Sequence, residues 1–290
     1  MIISRYFNYF CLFSFIGWLY ECTYCTLKTK HWQNRGFLFG PICPIYGTAV
    51  ICGIFLFGDL PQLLKNSAGG AGFLAFLMEL PLWGIFLMSM ILSAILEYLT
   101  SFVLEKLFHA RWWDYSDVPL NVNGRICLPA SMGFGAAGIV IVKWIIPFVM
   151  ARRGTVHPLI QEGTSLGLML IFGMDMAATL ASLSTMLTKL EKMQTEFDRR
   201  MENGYQIASE GPAAIASAAG NATQRAAEKW MERAGSFVET LTEQEKYHVR
   251  NIRIYKGTKS ALHKIEPSRL FSGVQKRLSL KKKEDERGEG

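Results

Sequence analysis

Five apolar stretches, at roughly 4–27, 37–58, 82–105, 126–149 and 163–188, limit what this chain can fold into. Each is about 20 residues or longer, enough for a helix to cross a hydrocarbon core about 30 Å thick. In hydrocarbon the backbone N–H and C=O groups must be satisfied within the protein, which leaves helices or closed barrels. Runs this continuously apolar point to helices. Half of the chain is hydrophobic and 19% is charged, with the charge gathered towards the C-terminus. The predicted fold is therefore all-α: a polytopic transmembrane bundle of about five spans over residues 1–190, then a polar, charged tail over 191–290 that is helical or partly disordered.

Arg5 precedes an aromatic-rich span that carries Glu21 at its far end and no A-x-A cleavage site, so the start reads as a retained first helix. With five spans, the N-terminus, 59–81 and 150–162 share one side and hold Arg5, Lys65, Arg152 and Arg153. The opposite side holds Lys28, Lys30, Arg35, Lys106, Arg111, Arg125 and the basic tail. The positive-inside rule places that richer side, and the tail, in the cytoplasm and the N-terminus outside. The stretch GFLAFLMELP, 72–81, is too short to span alone and ends at Pro81; a re-entrant segment there would change the count.

Ionisable residues inside the spans are the first functional candidates, because charge in a membrane needs a partner or water. Gly17, Glu21 and Tyr24 share one face of the first helix. Glu21 is either an interfacial acid or an inward-facing carboxylate. Glu97, Ser101 and Glu105 recur every four residues along the third helix. Glu105 can reach the water boundary, but Glu97 lies about 12 Å deeper along the axis. That makes Glu97 the strongest candidate for a functional intramembrane acid, the alternative being a protonated side chain bonded to a neighbouring helix. Asp175 is alone near the middle of the fifth helix, and Lys143 is one partner for it within the spans. Small residues in the fourth helix, among them Gly135 and Gly138, allow close helix packing.

Two irregular segments stand out. In NRGFLFGPICPIYG, Asn34 to Gly47, two prolines and three glycines postpone regular helix to about Pro44. Irregular backbone at membrane depth is tolerated only in protein or beside a wet cavity, and broken helices of this kind form binding sites in transporters. An ordinary loop with proline in the first helical turn is the plainer reading. The segment HARWWDYSDVPLNVNGRIC, His109 to Cys127, packs Trp112, Trp113, Asp114, Asn123 and Arg125 between two apolar runs. An interfacial aromatic belt explains the rings but not the acids, amides and arginines. Asn123-Gly124 signals a turn. The segment either binds a ligand or forms a self-paired cap, and a cytoplasmic cap that pairs with 34–47 over the carboxylates is the expected arrangement.

Together GWLYE, NRGFLFGPICPIYG, LEYLTSFVLEKLFHARWWDYSD and NGRICL resemble the CmpB-type family of ABC-transporter permeases. The resemblance covers about residues 6–150. It implies a small multi-spanning protein of the bacterial plasma membrane with permease activity. The positions that match these motifs include Glu21, Asn34, Arg35, Glu97, Glu105, Arg111, Trp112, Trp113, Asp114, Asn123 and Arg125, and they are the candidate site residues. Asp175 and Lys143 are added as intramembrane polar groups.

No Walker A loop, G-x-S-x-G elbow or H-E-x-x-H is present. Any ATP hydrolysis therefore belongs to another polypeptide. The five histidines have no mutual metal spacing, and Cys22-x-x-Cys25 has no second pair. No catalytic residue, metal or cofactor is expected. Membrane lipids, a separate ATP-binding subunit and a second copy of the chain are the expected partners; nucleic acid is not, since the tail mixes acids with its bases. Residues 268–283 interleave apolar and basic side chains and suit an anionic leaflet, while the Asn221 sequon reads as chance. Three functions stand: a permease subunit, a structural or regulatory protein whose tail recruits partners, and a membrane enzyme acting on a lipid headgroup. The last would use Asp114, Asp117 and Glu97 as acid–base groups, with Arg111 and Arg125 gripping an anion.

Overall fold

The computed structural model describes residues 2–30, 32–64, 79–209 and 235–255, with residue 273 alone. Residues 72–78 of the re-entrant candidate, the Asn221 sequon and, but for residue 273, the basic–apolar 268–283 segment lie outside the described residues. The main helices are α1 (Ile2–Thr29), α2 (Pro44–Ile54), α3 (Leu60–Leu64), α4 (Leu82–Phe108), α5 (Leu128–Val140), α6 (Ile146–Ala151), α7 (Pro158–Ser209) and α8 (Glu243–Asn251). Four stretches are helical, long and apolar enough to cross a membrane: Ile2–Thr29, Leu82–Phe108, Leu128–Ala151 and Pro158–Met193. The second expected span differs. Its apolar helix is the shorter Pro44–Asp59, because helix starts only at Pro44, as the proline spacing predicts.

Two helices carry a π turn, Phe55–Asp59 after α2 and Ile141–Ile145 after α5. Pro61 and Pro147 follow them. A proline cannot donate to the carbonyl four residues back and its ring crowds that carbonyl. The chain widens instead, so that Leu60 N–H reaches Phe55 O and Ile146 N–H reaches Ile141 O.

The chain divides into two compact units, one of residues 1–103 and 114–179 and one of 104–113 and 180–290. In the first, α1 and α2 are antiparallel and close, since a Cβ on Gly17 would overlap the Tyr46 ring and one on Gly47 would overlap Ser14. Gly135 and Gly138 let α5 approach Phe86 and Ser89 of α4 in the same way. Phe13, Val50, Ile54, Ile146 and Val149 form a buried cluster across α1, α2 and α6. Beside it, Asp59 accepts from Tyr6 O–H and from both Arg153 guanidinium nitrogens, one at 2.8 Å. This joins the three segments that loop charge assigns to one side. Leu166, Leu170, Ile171 and Met174 of α7 are exposed, an apolar face that fits a protein embedded in a membrane.

The second unit contains the folded part of the tail. Thr242 and Glu245 close a capping box on α8, and Lys189 Nζ lies 2.8 Å from Glu245 Oε2. Burial works against the Glu245 charge, but Lys189 and Thr242 outweigh it and hold the carboxyl below its usual range. Strand β1 (Ala110–Arg111) pairs antiparallel with β4 (Ile254–Tyr255). Leu183, Met186 and Leu190 of α7, with Trp112, Val249 and Ile252, are buried in this unit.

In α5, Gly138→Ala should destabilise the protein by roughly 1–3 kcal/mol through overpacking on Ser89. Gly133→Ala, with open space around its Cβ, should be neutral or stabilising by up to about 1 kcal/mol. Thermal unfolding of the two variants in detergent, followed by size-exclusion fluorescence, checks the contrast; equal shifts would refute the close packing of α4 and α5.

Candidate functional site

The segment 34–43 enters α2 without regular helix, so its polar backbone needs partners. Gly40 N–H donates to Asp175 Oδ2 at 3.0 Å and Phe39 N–H to Thr179 Oγ1 at 3.3 Å. Asp175 and Thr179 stand one turn apart on α7, and Thr179, fully buried, also lies 3.5 Å from Asp175 Oδ1. The central aspartate thus has a backbone amide as partner, that of Gly40. Lys143, one candidate partner from the sequence, is exposed in the π turn after α5. Spacing along the sequence suggests a charge pair; the actual partner is the chain that the prolines keep out of helix. Gly40 is required here for space, since a Cβ would lie 2.8 Å from Asp175 Oδ2.

Both ends of the segment bind α1. Asn34 Oδ1 accepts Trp18 Nε1–H at 2.8 Å, and Arg35 N–H donates to Cys22 Sγ at 3.3 Å. Cys43 N–H donates to Ser14 O at 3.0 Å. One guanidinium nitrogen of Arg35, Nη1, is buried without a hydrogen-bond partner.

Glu21 and Glu97 each have a tyrosine. Tyr46 O–H donates to Glu21 Oε2 at 2.7 Å, and Cys25 Sγ lies 3.8 Å from Oε1. Tyr115 O–H donates to Glu97 Oε1 at 3.0 Å. Glu97 is only 6% exposed, and its Oε2 is buried with no hydrogen-bond partner. Burial, then the charge of Glu97 and its hydrogen bond, and more weakly Glu21, push the Tyr115 hydroxyl well above its usual range. Glu21 is therefore within electrostatic range of the Tyr115–Glu97 pair.

The loop that delivers Tyr115 is braced by its own polar residues. Asp114 Oδ1 accepts from Ser116 N–H at 3.1 Å and Oγ–H at 2.6 Å. Asn121 takes Gly124 N–H at 3.0 Å, and Gly124 O takes Tyr115 N–H at 2.8 Å. Asn123 (φ 54°) and Gly124 (φ 68°) form the tight turn between β2 (Asn121–Val122) and β3 (Ile126–Cys127). Asn123 Nδ2 reaches Tyr98 O–H at 3.2 Å. Arg125 is buried, donates to Ser101 Oγ at 3.2 Å and lies over the Tyr98 and Phe102 rings at 5.5 and 5.6 Å. Thus Glu97 and Ser101, one turn apart, both receive the loop. It rests on α4, and the 34–43 segment binds α1 and α7.

The first residues of the same stretch belong to the second unit. Arg111 forms an ion pair with Glu105 there, and its carbonyl accepts Arg253 N–H at 2.7 Å. Trp112 is buried, with its ring 6.1 Å from Phe108, rather than lying in an exposed belt. Trp113 is half-buried. Among the described residues no cluster of three or more His, Cys, Asp or Glu side chains is arranged to hold a metal. Tyr46, Tyr98 and Thr179 are absent from the sequence-derived set. Thr179 carries a signal, its position four residues after Asp175; the two tyrosines carry none beyond their place in the motifs.

The model of the family described as "Putative ABC-transporter type IV" matches residues 8–180. That is more than half of the chain, and the chain belongs to this family. The match extends past the 6–150 resemblance and takes in Asp175 and Thr179. Comparison with curated proteins and with solved structures finds no match.

Asp175→Ala should lower stability by roughly 1–3 kcal/mol, because it strands the half-buried Gly40 amide. Asp175→Asn keeps an acceptor and should cost less. Thermal unfolding in detergent compares them; an alanine variant as stable as the wild type would show that the Gly40 contact is unimportant.

Proposed function

We propose that this family member is the membrane-spanning permease subunit of an ABC transporter whose ATP-hydrolysing subunit is a separate polypeptide. The observation that carries this reading is the non-helical entry to α2, held by Asp175 and Thr179 of α7. Irregular backbone built into a helix bundle is a recurrent means of making a transport site. The buried Glu97, capped by Tyr115 from the loop, supplies a polar group on the route. The family supports a bacterial plasma-membrane location, and the charge distribution of the loops supports a cytoplasmic tail with the N-terminus outside.

A second reading, a regulatory membrane protein whose tail recruits partners, draws on the folded tail segment with its capping box and its strand against Ala110–Arg111. The headgroup-enzyme reading loses Asp114, which is committed to Ser116.

Purification of the full-length protein from its own membranes in mild detergent, with mass spectrometry of what accompanies it, is the test. A stoichiometric ATP-binding subunit is expected. Glu97→Gln should assemble with that subunit, remain folded and lose transport. Wild-type flux in this variant would remove Glu97 from the route, and recovery of only tail-dependent partners would favour the second reading.

A further inference from the structure

Glu97 Oε2 is buried in the bundle with no hydrogen-bond donor. A carboxylate oxygen needs donors or a positive charge, and its own Oε1 has only the neutral Tyr115 hydroxyl at 3.0 Å. Glu21, on α1, is near enough for its charge to act weakly on the Tyr115–Glu97 pair. Its two oxygens are met by the Tyr46 hydroxyl and the Cys25 thiol, again neutral donors. One turn along α4, Ser101 takes the Arg125 guanidinium. Glu97 is buried and Glu21 half-buried, and the hydrogen bonds described for their oxygens come from neutral O–H and S–H groups.

We propose that Glu97 and Glu21, with the hydroxyls of Tyr115 and Tyr46, form an intramembrane site for a single positive charge, a proton or a small monovalent cation, received by Glu97 Oε2. A ligand there supplies what the oxygen lacks and offsets the repulsion of the second acid. A divalent ion does not suit the site. Such ions take six or more oxygen ligands or a closed set of side chains, and no such cluster is present among the described residues. Depth along α4 and the tyrosine lid from the 114–127 loop make this a site inside the bundle, separate from the surface acids. The inference deepens the permease reading by naming the class of ion that binds or couples, and it rests on that reading only for what the site would move.

The test uses the full-length protein in lipid nanodiscs without any partner. Thermal unfolding is followed across pH, and in sodium, potassium or ammonium at ionic strength held constant with N-methylglucamine. A proton ligand gives a Tm that rises as pH falls and ignores the cations. A cation ligand gives a saturating rise with one of them, roughly 5–10 °C at a hundredfold excess over Kd. Either dependence should vanish in Glu97→Gln, weaken in Glu21→Gln and persist in Asp117→Asn, an exposed loop acid. Identical responses of wild type and Glu97→Gln to pH and to all three cations overturn the proposal. If Glu97→Gln does not fold, Tyr115→Phe carries the test: it should move the midpoint at least about threefold, and an unmoved midpoint is also fatal. No ATP-binding subunit enters this measurement. A failed copurification therefore counts against the permease reading alone, and a missing linkage against the ion site alone.

Discussion

Two backbone amides, those of Phe39 and Gly40, and the α7 side chains that receive them carry much of this fold. Pro41 and Pro44 forbid regular helix before α2, so the approach to it must run through the bundle as irregular chain. A backbone N–H left bare there would cost several kcal/mol in hydrocarbon. Asp175 and Thr179 remove that cost from one turn of a single helix. At the two ends of the segment, Cys22 Sγ and Ser14 O of α1 accept the Arg35 and Cys43 amides, and Trp18 donates to the Asn34 side chain. With the entry fixed, α2 can lie against α1 at the contact distance set by Gly17 and Gly47, and Tyr46 points its hydroxyl at Glu21.

The same economy appears in the polar loop. Its acids and amides are largely occupied in shaping it: Asp114 on Ser116, Asn121 on Gly124, Asn123 in the turn and on Tyr98. What the loop then presents is a tyrosine to Glu97 and a guanidinium to Ser101, on one face of α4. Asp114 and Asn121, dense in polar chemistry in the sequence, are mostly scaffold. Glu97 Oε2 and Arg35 Nη1 are among the buried atoms left with unmet capacity.

Periodicity and proline placement made the helices legible, since both act locally: the spans, the start at Pro44 and the shared face of Glu97 and Ser101 follow from spacing alone. The motif resemblance gave the family. Partners across the fold were not legible, because a helical face says which way a side chain points but not what it meets. Asp175 illustrates this. Opposite charge suggests Lys143, yet the strongest need in the bundle is a backbone N–H, and no residue letter records that. The bond of Asp59 to Tyr6 and Arg153 was hidden in the same way, by 94 residues of separation for Arg153. So was the tail: its capping box is visible as T-x-x-E, but the pairing of Ile254–Tyr255 with Ala110–Arg111 is non-local and only two residues long.

The central claim is that α7 satisfies the broken entry to α2. Hydrogen–deuterium exchange of the Phe39 and Gly40 amides in nanodiscs tests it most directly. The account predicts slow exchange at both in the wild type and acceleration of at least about tenfold at Gly40 in Asp175→Ala, from loss of a bond worth about 1.4 kcal/mol or more. Fast exchange at both amides in the wild type, or no change in the variant, would contradict it.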